Sequence, residues 1–177
     1  MPQKTMLAIG SSITHGARSI THTNSYANEA GRILGVNVLN KGLGGSCQYE
    51  PEVADFYASN DEWDFAWIEG AVNCGVLEVD EFEKRFTYFV DTLYKTGKPL
   101  YMTTILPTAS LINDKEDNHE KMLEFNEIIR SQKDKGVIIE GSEIITDLRF
   151  LTTDLIHPSN EGHTRMGINL AGILKKY

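Results

Sequence analysis

Cysteine is nearly missing from this chain: Cys47 and Cys74 are the only two in 177 residues. A disulfide-stapled scaffold is therefore not expected, and two reduced thiols fit a cytoplasmic setting. Positive charge is the next scarcity. Seventeen Lys and Arg face 25 Asp and Glu, a net charge of -8, which argues against nucleic acid or an anionic membrane surface as partner. Long apolar runs are also lacking, so no segment has the length to span a bilayer. Met1-Pro2-Gln3-Lys4-Thr5 leads straight into the first apolar stretch without the h-region of a signal peptide. No repeat, low-complexity tract or linker interrupts the chain. A hydrophobic content of 41% over this length suits one domain, residues 1–177, with a full core.

Short apolar runs alternate with longer amphipathic stretches, the pattern of a parallel sheet flanked by helices. Strands are expected at 5–10, 36–39, 65–69, 99–104 and 137–139. Helices are expected at 25–34, 51–57, 80–95, 118–135 and 161–175, with Ser159 capping the last. Phe82, Phe86 and Phe89 share one helical face and read as core. The segment 40–46 reads as a flexible glycine-rich loop, 106–117 as a polar loop, and the acidic cluster 114–120 as a solvated loop and helix start. The fold class is α/β: a three-layer α/β/α sandwich around a flavodoxin-like, five-stranded parallel sheet of order 2-1-3-4-5. That order puts strand one between strands two and three, so their following loops converge at a switch point where α/β sheets bind ligands.

Three of those loops and one distant segment carry chemistry. Ala8-Ile9-Gly10-Ser11-Ser12-Ile13-Thr14-His15-Gly16 ends the first strand in small residues and presents a serine at the sheet edge. A serine hydroxyl becomes a nucleophile only beside a base, and taken alone Ser12 reads equally as a cap or turn residue. Asp154-Leu155-Ile156-His157-Pro158 offers that base. An aspartate three residues before a histidine, in a tight turn, can accept from Nδ1–H and leave Nε2 free. Taken alone, the segment is also an ordinary surface turn. Gly45 can bring a backbone N–H close to a substrate, and the Asn73 amide can donate a second bond. Each also has a plain turn-forming reading.

Taken together, the segments resemble the SGNH hydrolases, the GDSL esterase and lipase superfamily. Gly10-Ser11-Ser12-Ile13-Thr14 is similar to block one, and Asn40-Lys41-Gly42-Leu43-Gly44-Gly45 to block two. Ile68-Glu69-Gly70-Ala71-Val72-Asn73 resembles block three. Asp154 to His157 matches the DxxH of block five, which Pro158 through Gly162-His163 extends. The resemblance implies a serine esterase acting through an acyl-serine, with Ser12, Asp154 and His157 as catalytic residues. It implies an oxyanion hole from the N–H groups of Ser12 and Gly45 and the Asn73 amide, and neither metal nor cofactor. Ser11 stands where block one carries aspartate, which bears on the hydrogen bonds supporting the turn. Ala71 stands where block three more often has glycine, which narrows the space beside Asn73.

Metal binding has little support. Cys47, Cys74, His15 and His157 share one end of the sheet but show neither zinc-finger nor HExxH spacing, and the thiols read as pocket-lining apolar groups. No GxGxxG or P-loop pattern points to a flavin or phosphate. With no apolar insertion to form a lid, the expected partner is a small-molecule ester with a short acyl group, acetylated carbohydrate foremost. The competing reading is a non-catalytic small-ligand or carbohydrate-binding module on the same fold. Oligomeric state is left open.

Overall fold

The computed structural model describes residues 2–108 and 116–177. Strand β1, Thr5–Gly10, is buried from Met6 onward. Ser11 then caps a single turn, α1 (Ser12–His15), which Gly16 ends in the left-handed region at φ 100°. Helix α2 (Tyr26–Leu34) begins at Ser25, whose hydroxyl accepts from Asn28 N–H, and ends at left-handed Gly35. Strand β2 (Asn37–Gly42) and helix α3 (Pro51–Ala58) follow, the latter with proline in its first turn. Then come β3 (Phe65–Ile68), α4 (Val79–Tyr94), β4 (Leu100–Thr103) and α5 (Glu116–Ser131). Strand β5 (Val137–Ile139), a short α6 (Gly141–Ile144) and α7 (Asn160–Leu174) complete the order.

All strand pairs are parallel, in the order β2-β1-β3-β4-β5. Alternation along β1 divides the interior: Leu7 and Ile9 point into one core with Phe82, Phe86, Phe89 and Phe125, while Met6 and Ala8 join Tyr26, Trp67, Met166 and Leu170 in the other. Helices α4 and α5 cover the first face, α2 and α7 the second. The phenylalanine stripe of α4 is core, each fully buried ring worth roughly 1.5–3 kcal/mol of transfer free energy. No described helix is long and apolar enough to cross a membrane.

Several boundaries differ from expectation. Strand β2 runs to Gly42, because Asn40 and Lys41 pair with Ala8 and Ile9, so part of the expected loop is edge strand. The expected 118–135 helix divides into α5 and a 3₁₀ turn, Gln132–Asp134. Of the expected loop at 106–117 and acidic cluster at 114–120, residues 109–115 lie outside the described residues. Gly42 has a close-packing role. A Cβ there would press on His15 N and stand 2.6 Å from the Thr14 carbonyl carbon, so its bareness lets α1 settle onto β2.

Candidate active site

The site begins where β1 stops. Ser11 Oγ accepts from Ile13 N–H at 3.1 Å, so the cap reading and the sheet-edge reading of this turn hold together. Ser12 is the first residue of α1, and an N–H in a helix's first turn has no intrahelical acceptor. Its side chain is half-buried and lies 2.8 Å, Oγ to Nε2, from His157, which is 145 residues away in sequence.

His157 is carried on a pinched loop. Leu151 and Pro158 form an antiparallel bridge at its base, and Thr152 N–H donates to His157 O at 2.8 Å. At its tip Leu155 takes a left-handed φ of 57°, an arrangement that costs a branched side chain about 1–2 kcal/mol. The loop is organised around Asp154. Oδ1 accepts from Thr152 Oγ1 at 2.9 Å, Ile156 N–H at 3.0 Å and His157 N–H at 2.9 Å. Oδ2 faces His157 Nδ1 at 2.9 Å and Arg18 Nε at 3.3 Å. Burial opposes the charge on Asp154. The backbone N–H groups of His157 and Ile156 and the side chains of His157 and Thr152 outweigh it, holding the carboxyl well below the usual carboxylate range. An ionised Asp154 can only accept, which assigns the imidazole proton to Nδ1 and leaves Nε2 to accept from Ser12.

The expected oxyanion donors sit on the two flanking loops. Gly45 lies beyond β2 with a left-handed φ of 69°, open to glycine without strain. A Cβ on neighbouring Gly44 would stand 3.8 Å from Ser12 Cβ, so this loop passes beside the serine. Asn73 Nδ2 donates to Ser46 O at 2.8 Å. That bond ties the loop after β3 to the residue following Gly45, and an amide nitrogen carries a second hydrogen. The structure thus joins Ser12, His157 and Asp154 in one hydrogen-bonded line, with Gly45 and Asn73 on loops fastened to each other. Ala71, two residues before Asn73, is buried.

Three residues here were not singled out by sequence. Thr152 and Arg18 contact Asp154, and Glu69 lies under the serine turn, its Oε1 3.3 Å from Ser11 N–H. The signal for Glu69 was present: a carboxylate directly after the buried strand Phe65-Ala66-Trp67-Ile68. His15 is not in the line; its Nδ1 is 2.9 Å from Gly42 O. Cys74 Sγ lies 3.5 Å from Cys47 O, and burial pushes the Cys74 thiol up to about 12, so it stays protonated at neutral pH. Among the described residues no group of three or more His, Cys, Asp or Glu side chains is arranged to hold a metal.

The profile of the GDSL-like Lipase/Acylhydrolase family matches residues 3–175. Many solved structures share the fold. A protein of Bacteroides ovatus assigned by name to the GDSL-like lipases aligns with a TM-score of 0.82 and 24% identity, over 99% of this chain but 53% of that one. The chain therefore spans about half of that relative's length. The psychrotrophic esterase EstA of a Pseudoalteromonas species aligns at TM-score 0.78 and 14% identity, covering 98% of both chains. Axe2, an acetylxylan esterase of Geobacillus stearothermophilus, aligns at 0.73 and 17%, covering 96% of this chain and 93% of its own. Likeness at such identities is a likeness of fold. No curated protein matches the chain. With the family profile covering nearly every residue, and the fold agreeing, the chain belongs to the GDSL-like lipase/acylhydrolase family.

Proposed function

We propose that the protein is a serine esterase that hydrolyses small, short-acyl esters, with O-acetylated carbohydrates as the leading natural class. The observation that carries this reading is the 2.8 Å contact between Ser12 Oγ and His157 Nε2. His157, held by Asp154, takes the Ser12 proton as the hydroxyl attacks the ester carbonyl, forming a tetrahedral intermediate. The N–H groups of Ser12 and Gly45 and the Asn73 amide hold its oxyanion, each such donor being worth about 3–4 kcal/mol to the transition state. His157 then protonates the departing alcohol, leaving an acyl-serine. Water, deprotonated by the same imidazole, releases the acid and restores Ser12.

One observation favours a small acyl group. The fold relative Axe2 is by name an acetylxylan esterase. Hydrolysis of p-nitrophenyl acetate, beside a Ser12→Ala control, tests the reading: activity and fluorophosphonate labelling are expected in the wild type and lost in the variant. A Ser12→Ala protein hydrolysing at the wild-type rate would remove Ser12 from this role. A p-nitrophenyl ester series peaking at eight carbons or longer overturns the short-acyl preference.

A further inference from the structure

Glu69 is 1% exposed, directly after the central strand β3, and a buried carboxylate is costly unless its lone pairs are met. They are met entirely by neutral donors. Oε1 accepts the Ser11 N–H at 3.3 Å and the Ser11 hydroxyl. Oε2 accepts the Thr14 hydroxyl and faces the Tyr26 hydroxyl at 3.3 Å. Tyr26 in turn accepts from Trp67 Nε1 at 2.7 Å. Three of these donors come from the turn that carries Ser12, from the residue just before it and the one two places after. Glu69 is itself clamped: its N–H donates to Ile9 O at 2.9 Å, and its carbonyl accepts the Tyr49 hydroxyl at 2.5 Å. The side chain therefore ties the turn to a fixed point on the neighbouring strand end.

We infer that Glu69 is a positioning residue: its carboxylate holds the Ser11–Thr14 turn from below and so keeps Ser12 Oγ within hydrogen-bond reach of His157. The kinetic consequence rests on the serine-esterase reading above; the geometric part does not. Burial pushes this carboxyl above its usual range, and the bonds from Ser11 and Thr14 oppose that push, so the turn and the carboxyl beneath it are coupled. A carboxylate at position 11 would reach the same hollow from the opposite side, which makes relocation of the charge a direct check.

The test uses the full chain with Glu69→Gln and the double variant Ser11→Asp/Glu69→Gln. The readouts are kcat and KM for p-nitrophenyl acetate, the melting temperature, and NMR signals of the 11–14 amides and the His157 ring. A folded Glu69→Gln protein is expected to lose about 10- to 100-fold in kcat with KM unchanged within about twofold, as a misplaced reacting group does. Its 11–14 amide signals move, and the double variant regains most of the lost kcat. A single variant with wild-type kcat, a loss expressed in KM alone, or a double variant no better than the single overturns the inference. Should Glu69→Gln not fold, Thr14→Val removes one donor to Oε2 while leaving Ser12 in place. A kcat reduced about 3- to 10-fold at constant KM then supports the role, and a wild-type kcat refutes it. If the wild-type chain neither hydrolyses esters nor takes up fluorophosphonate, the esterase reading fails separately. Positioning is then decided by the 11–14 and His157 signals, which must move in whichever of these variants folds.

Discussion

Replacing Asp154 by asparagine alters one atom of the site, reverses the hydrogen bond to His157 and gives up the contact with Arg18 Nε. The amide oxygen can still accept from Thr152 Oγ1, Ile156 N–H and His157 N–H, now at 2.9–3.0 Å from Oδ1, so the loop keeps its anchors. The other terminus becomes an NH₂ facing His157 Nδ1 across 2.9 Å. Two donors cannot share that contact. The imidazole accommodates by carrying its proton on Nε2, which then donates to Ser12 Oγ and can no longer accept its proton. In the Ser-His-Asp template this substitution costs about 10⁴-fold in kcat, or about 5 kcal/mol of activation free energy. A loss of about 10³- to 10⁴-fold is expected here on the same tautomer argument. Stability falls far less. Charge-assisted bonds become neutral ones on a partly exposed loop, about 1–2 kcal/mol in all, a melting-temperature decrease of roughly 2–8 °C for a chain of this size. The assay is kcat for p-nitrophenyl acetate at 25 °C on protein whose near-ultraviolet dichroism matches the wild type. A folded Asp154→Asn protein retaining kcat within tenfold of wild type would refute the assignment of His157 as a base oriented by Asp154.

Three further outcomes concern the frame around the site. Gly42→Ala places a methyl against the backbone of His15 and Thr14; overpacking of about 1–3 kcal/mol lowers the melting temperature by roughly 2–12 °C, and an unchanged melting temperature contradicts it. Tyr49→Phe removes the buried donor to Glu69 O and costs about 1–3 kcal/mol, read as a lower urea midpoint at constant m-value; an unmoved midpoint counts against the bond. His163 is fully buried, with Nε2 2.9 Å from Ala17 O and Nδ1 accepting from Tyr26 N–H at 3.3 Å, so the neutral ring uses both nitrogens. Burial holds its pKa below the ordinary value, so the unfolded chain takes up the proton first and stability falls as pH drops through about 6.5. Urea unfolding at pH 7.5 and 5.5 is expected to show a smaller acid loss in His163→Gln than in the wild type; equal losses refute this.

What was legible in the sequence was local. Ser159 caps its helix because a cap needs only its own next few residues. The alternation of apolar runs with amphipathic stretches marks a parallel sheet flanked by helices. The Asp154–His157 spacing was readable because both residues sit in one turn. What was hidden depends on partners distant in sequence. Asn40 and Lys41 look like loop residues, and only pairing with β1 makes them strand. Helix α1, four residues long, is too short to show a period. Glu69 meets Ser11 and Thr14 from 58 and 55 positions away, and Asn73 finds Ser46 O only across two loops. Family resemblance marked Asn73 as a donor, but it could not reveal that the same amide also fastens the neighbouring loop.

The span between Ser12 and His157, 145 positions, bears on synthesis. During synthesis Ser12 emerges well before His157, the imidazole it contacts in the fold. The helix that closes the second core comes later still. On the serine-esterase proposal, hydrolytic competence arrives only once residue 157 is in place. On the same proposal, ester turnover in a mixed preparation would count only the molecules in which Ser12 and His157 have come together.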